Sequence, residues 1–254
     1  MEYIKKGLPE DPEINASFTT TSMQCARGAY GEIISFPGSG IGYYELLDQF
    51  KECLPESGVL YKSRRWFETR NFDFYGFDPG QGDNGVALIQ IRQSLHDRDQ
   101  KRWTKTRKNY VICGRDEGQT FAHEVGYHAA RSRKAMTNDP RDAVHAAQRW
   151  VFDVTQKQLM NSLNKRMRQG DVLLVEQKRG PASIVEELGR EFTAMRHSIR
   201  ASRIVRDDDG QLWAIDPALR HLGHEHDPVY ADVPDIWHSV RIGQRLESRY
   251  ETWD

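Results

Sequence analysis

The 254-residue chain has no run approaching the ~18 apolar residues that a membrane-spanning helix needs. Its first residues, Met1-Glu2-Tyr3-Ile4-Lys5-Lys6, lack the apolar core of a signal peptide. Both absences lead to the expectation of a cytoplasmic protein with no membrane partner. The three cysteines, Cys25, Cys53 and Cys113, include no CxxC pair, so no structural zinc site built on thiolates is expected. Buried thiols in a reducing compartment are expected instead. An excess of charge is missing too: 36 Lys and Arg stand against 37 Asp and Glu, which argues against a chain that coats a polyanion with its whole surface. No known catalytic signature is present. Pro37-Gly38-Ser39-Gly40-Ile41-Gly42 spaces its glycines as GxGxG, and no Gly-Lys-Ser/Thr follows, so the stretch reads as a turn and not as a phosphate loop. His123 and His128 lie five apart, where zinc-protease histidines lie four apart on one helical face.

What the chain does contain is a change of pattern part-way along. Glu32 to Phe36 reads as a strand, and Tyr43, Leu46, Leu47 and Phe50 fall on one face of a helix over 43–53. From 58 to 115 the pattern is β, with Val59-Leu60-Tyr61, Phe72 to Phe77, Val86 to Ile91 and Tyr110 to Cys113 as strands. Asn138-Asp139-Pro140 opens a helix over 140–152, with Ala143, Val144, Ala147, Trp150 and Val151 on its inward face and His145 as a structural histidine. A second helix, 155–168, turns Leu159 and Leu163 inward. Gly170 is expected to end it at positive φ and lead into Val172 to Val175. The remainder is β-dominated, with a helical segment around Ile184 to Glu191. Its clearest feature is a hairpin turning at Asp207-Asp208-Asp209-Gly210. The fold class is therefore α+β: a mixed-sheet N-terminal domain (1–135), two connecting helices (136–169) and a β-rich C-terminal module (170–254).

Charge is segregated within this frame. Residues 92 to 115 carry eight basic side chains against Asp97 and Asp99, whereas 207 to 235 carry eight acidic ones against Arg220. The basic stretch lies between two strands and reads as an extended hairpin arm. Arg98, Lys101, Arg102, Lys105, Arg107 and Lys108, with Trp103 among them, suit contact with phosphates and a base face. The same charges suit an edge strand that must not pair with another chain. In the tail, His224 and His226 alternate at strand spacing and share a face. With His238 they form the candidate set for a divalent metal, the one cofactor the pattern admits.

Gln169-Gly170-Asp171-Val172-Leu173-Leu174-Val175, the Asp-Gly hairpin ending in Leu212-Trp213, His224-Glu225-His226-Asp227-Pro228-Val229 and Gln244-Arg245-Leu246-Glu247 carry a resemblance. Over about its last third the chain resembles an uncharacterised family of small bacterial and phage proteins with a "QGDVLLV…HxHxPV…QRE" β module. In that family a Gly-His-x-His segment precedes the hairpin; here Arg196-His197-Ser198-Ile199 stands in its place. The resemblance implies a compact β module in a mobile-element or accessory setting, and no activity. The leading functional expectation is a non-catalytic accessory or assembly protein whose arm binds nucleic acid, RNA included. A metal-dependent enzyme with a cupin-like histidine site and a protein-binding or phage structural component are the alternatives.

Overall fold

A computed structural model describes residues 43–55, 58–116, 118–130, 139–194, 196–222, 228–231 and 233–243. The strand expected at 32–36 and the glycine segment after it lie outside the described residues. The chain is α+β and dominated by strands, which form two sheets. It divides into two compact units. Among the described residues the first holds 43–115 and 122–147, and the second holds 116–121 and 148–243.

The first unit opens with α1 (Tyr43–Phe50) and a single 3-10 turn at Lys51–Cys53. Then come β1 (Gly58–Lys62), β2 (Trp66–Asp78), β3 (Val86–Asp97), β4 (Arg102–Asp116) and β5 (Gln119–Val125), neighbours in that order in one sheet. A mixed sheet is expected from the sequence, but the β1–β2, β2–β3 and β3–β4 pairings are all antiparallel. Alternation along β2 and β3 gives the sheet two faces. One face gathers Phe72, Phe74, Ile89, Ile91 and Val111 under Leu46 and Phe50 of α1.

On the other face Gly76 admits α3 (Pro140–Phe152). A Cβ at Gly76 would stand 2.7 Å from the Ala143 methyl and 2.7 Å from the Pro140 carbonyl oxygen. Asp139 caps that helix as its sequence predicts, Oδ1 accepting from the Arg141 amide at 2.9 Å. His145 is structural: its Nε2 lies 2.9 Å from Asp78 Oδ2, which also accepts from Gln81 Nε2 at 2.6 Å. Trp150, expected to face inward, is exposed.

Cys53 and Cys113 meet beside α1. The Cys53 thiol donates to the Gly114 carbonyl at 3.3 Å. A hydrogen bond from the Cys113 thiol, aided by the Arg115 guanidinium, holds Cys53 below the usual thiol range against its own burial. Burial, together with Cys53 itself, pushes Cys113 well up. In a Cys25→Ser background, which removes the thiol outside the described residues, iodoacetamide is therefore expected to alkylate Cys53 in the native protein and Cys113 only on unfolding. Mass spectrometry of the native digest checks this, and equal labelling of the two would contradict it.

The second unit contains α4 (Gln156–Asn164), β6 (Arg168–Gln169), β7 (Val172–Gln177), β8 (Glu186–Ala194), β9 (His197–Arg206), β10 (Leu212–Ile215), β11 (Ala218–His221), β12 (Val229–Tyr230) and β13 (Trp237–Ile242). The sheet order is β12-β11-β9-β10-β13-β7-β6, with β8 along the other edge of β9. β6 comes back against β11, which makes a nearly closed barrel. Leu174, Ile199, Ile204, Leu219 and Val240 fill it. α4 packs Leu159 against Leu173 and Val175 on the outside.

Two expectations need correction here. The second helix stops at Asn164, four residues short of Arg168, because Arg166 takes the left-handed conformation at φ 54°. The Met167 amide then reaches the Ser162 carbonyl at 2.8 Å and the Arg166 amide the Leu163 carbonyl at 3.0 Å, the paired bonds of a Schellman end. Gly170 does have positive φ, 50°, but as the first turn residue of the two-residue β6–β7 hairpin.

The segment around Ile184 to Glu191, expected to be helical, is instead largely strand β8. Its glutamates find partners on β9, Glu186 with Arg206, Glu187 with Arg203 and Glu191 with Arg200. The Asp-Gly hairpin forms as expected between β9 and β10, with Gly210 at φ 77° and Asp207 Oδ1 accepting from the Gln211 amide at 2.8 Å.

Candidate nucleic-acid interface

The basic stretch becomes the far end of the first sheet. β3 and β4 stay paired to Asp97 and Arg102, so the 18-residue polar connection expected between strands contracts to the turn Arg98-Asp99-Gln100-Lys101. Asp97 builds that turn. Its Oδ1 accepts from the amides of Asp99 at 2.9 Å and Gln100 at 3.1 Å. Burial would raise the Asp97 carboxyl, but the Gln100 amide, Arg65 and the Asp99 amide outweigh it and hold it below the usual range. Lys101 closes the turn at φ 49°. β2 runs alongside as far as Trp66, so the arm is three strands wide. Residues 62–71 and 92–108 together carry eleven Lys and Arg against Glu68, Asp97 and Asp99.

β5 has seven residues against fifteen in β4, which leaves the Arg102–Lys108 end of β4 at the sheet margin. All seven residues from 102 to 108 are exposed. A bulge at Thr104 sorts their side chains. Leu95 pairs with Lys105 but His96 pairs with Trp103, and the Thr104 hydroxyl donates to the Leu95 carbonyl at 3.2 Å. Without the bulge Trp103 would share a face with Lys105 and Arg107. With it, Trp103 joins Thr106 and Lys108. Arg102, Lys105 and Arg107 take the other face, opposite Asp97, Leu95 and Gln93.

Cross-strand neighbours on the Trp103 face form rows. At the tip Phe67, His96 and Trp103 stand side by side. The Phe67 and His96 rings stack at 4.5 Å, and Trp103 meets both nearly at right angles, at 5.5 and 5.0 Å. The Arg98 guanidinium lies 5.4 Å over Phe67. Next come Thr69, Ser94 and Thr106, then Asn71, Arg92 and Lys108, then Asp73, Gln90 and Tyr110. Burial raises the Asp73 carboxyl against the opposing pull of Arg92 and Lys108, which weakens the acid that neighbours these two cations. Tyr127 of α2 (Tyr127–Ala130) sets its ring 5.9 Å from Tyr110 and is itself exposed.

The expected metal residues are placed only in part. His224 and His226 lie outside the described residues. His238 is wholly buried in β13, its Nδ1–H donating to the Ile236 carbonyl at 3.0 Å and its Nε2 having no hydrogen-bond partner among the described residues. Burial is the main cause that holds its pKa below the usual imidazole value. A depressed histidine gives stability that is complete above the unfolded value of 6.5 and is lost as pH falls through the lower folded value. The parent should therefore lose more melting temperature between about pH 7 and pH 5 than a His238→Gln variant, as read by circular dichroism. Parallel losses would contradict this.

The fold also gathers residues that the sequence reading did not connect. His197 and His221 pair across β9 and β11 with ring centroids 4.9 Å apart. They line a small cavity of about 20 Å³ with Asp116, Phe121, Gln169 and Asp171. Asp116 anchors its rim, accepting from Arg168 Nη2 at 3.0 Å and from the Gly170 amide at 2.7 Å, while the Arg168 guanidinium covers the Phe121 ring at 4.7 Å. Among the described residues no three His, Cys, Asp or Glu side chains are grouped to hold a metal ion. No helix among them is long and apolar enough to cross a membrane. No protein family, curated protein or solved structure matches the chain.

Proposed function

We propose that the protein is a non-catalytic accessory factor that binds nucleic acid through the β3–β4 arm. The observation that carries this reading is the seven-residue exposed margin from Arg102 to Lys108, with cations on both faces of the strand. Single surface charges are ordinary. Here cations extend across three strands, and the acids among them are committed within the arm: Asp97 to its turn and to Arg65, Asp99 to Arg65, and Glu68 to Gln93. Such a surface attracts a polyanion by displacing its counterions. It also resists pairing with a second sheet, so one set of side chains serves both purposes.

The test is the dependence of affinity on salt. With Lys101, Arg102, Lys105, Arg107 and Lys108 each meeting one phosphate, log K should fall against log salt with a slope of about −3.5 on single strands or −4.5 on duplex. Between 50 and 200 mM salt that is a loss of about 100- to 500-fold. Binding that ignores salt would remove the arm from the mechanism.

A further inference from the structure

We infer that the Trp103 face of the arm binds single-stranded nucleic acid, with bases stacked on Trp103 and Tyr127 and phosphates held by Arg98, Arg92 and Lys108 on that face and by the cations of the exposed β4 margin beside it. This rests on the nucleic-acid reading above and narrows it to one class of ligand. Phosphate contact alone would not distinguish a single strand from a duplex. Two features of this face do.

The first is the Trp103 ring, 41% exposed on a rim otherwise made of cations and threonines. An exposed aromatic ring set among cations is a platform on which a base can stack. Its near-perpendicular contacts with Phe67 and His96 fix the orientation of the indole. A ring fixed in that way loses little freedom when a base stacks on it. In a duplex the base faces are already stacked on one another and cannot reach it.

The second is the succession of rows. Adjacent rows on one face of a strand are about 6.8 Å apart, so three steps separate the Trp103 row from the Tyr110–Tyr127 pair by about 20 Å. Tyr127 is 56% exposed. Between the two aromatic stations lie hydroxyls, Thr106 and Ser94, whose oxygens are 3.2 Å apart, and then Arg92 and Lys108. Aromatic, hydroxyl, cation, aromatic is a track along which a flexible strand presents bases and phosphates in turn. It has room for about six stacked nucleotides at 3.4 Å each, and fewer when the strand is drawn out.

The experiment is fluorescence anisotropy with the full chain, at fixed low salt, on a labelled mixed-sequence oligonucleotide of about 20 residues. Deoxy and ribo single strands and the corresponding duplex are the three probes. Single strands should bind more tightly than duplex, and a preference between the deoxy and ribo forms identifies the source. Trp103→Ala should weaken single-strand binding by about 5- to 150-fold and leave duplex binding nearly unchanged. Trp103→Phe, which keeps a ring, should restore most of the loss, and the duplex binding retained by Trp103→Ala shows that this variant has not simply unfolded. Equal affinity of parent and Trp103→Ala for single strands, or duplex bound as tightly as single strand by the parent, would overturn the inference and leave the arm reading standing. No binding to any of the three probes would overturn the arm reading itself.

Discussion

Asp116→Ala is expected to lower the stability of the second unit by about 3–5 kcal/mol, the range seen when one member of a buried ion pair is removed. The Asp116 and Arg168 side chains are only 11% and 5% exposed, and they meet at 3.0 Å. Without the carboxylate, the guanidinium keeps the Phe121 ring but loses its counter-charge in a site that water barely enters. The Gly170 amide loses its acceptor at the same time, in the turn that joins β6 to β7. Asp116→Asn should fall between parent and alanine, since an amide oxygen still accepts from Gly170 yet carries no charge for Arg168. Urea melts followed by circular dichroism decide the matter. An alanine variant with the parent's midpoint would mean that Arg168 finds water when the pair is broken.

Changing Lys101, Arg102, Lys105, Arg107 and Lys108 together to Ala should reduce affinity for any oligonucleotide by at least about 100-fold at 50 mM salt and flatten the salt dependence. Stability should change little, because all five side chains are exposed and their backbone remains in the β3–β4 ladder and its turn. A gel-shift titration and a thermal melt on the same preparation separate loss of binding from loss of fold. Retained affinity in a variant that melts like the parent would move the interface elsewhere.

These two sites differ in how far the sequence reveals them. The arm is legible as a hairpin because apolar alternation at Val86–Ile91 and Tyr110–Cys113 brackets a charged stretch, and the ladder continues through it. The face that Trp103 occupies is not legible. It depends on one extra residue, Thr104, and nothing in Arg-Trp-Thr-Lys announces a bulge. The helix start at Asp139-Pro140 and the Asp-Gly hairpin are written in local chemistry and appear where expected. The end of α4 is not, because the left-handed position falls on Arg166 while a glycine stands four residues on and invites the wrong assignment.

β8 misleads for a similar reason. Glu186, Glu187 and Glu191 resemble a solvated helix face until Arg206, Arg203 and Arg200 arrive from β9. The Asp116–His197–His221 pocket lies furthest from view. His197 and His221 are 24 positions apart and become neighbours only once β11 is laid along β9, and Asp116 joins them from the end of β4.

Hydrogen exchange read by mass spectrometry, with and without a saturating single-stranded oligonucleotide, places the interface most directly. Among the described residues, the strand that pairs with β4 at this margin is β3, so a bound strand should slow exchange of the β4 amides there. Protection concentrated in peptides covering Arg98 to Lys108, with the barrel peptides unchanged, is the expected result. Protection at Arg168–Asp171, His197 and His221 with the arm unchanged would contradict it and assign binding to the barrel end.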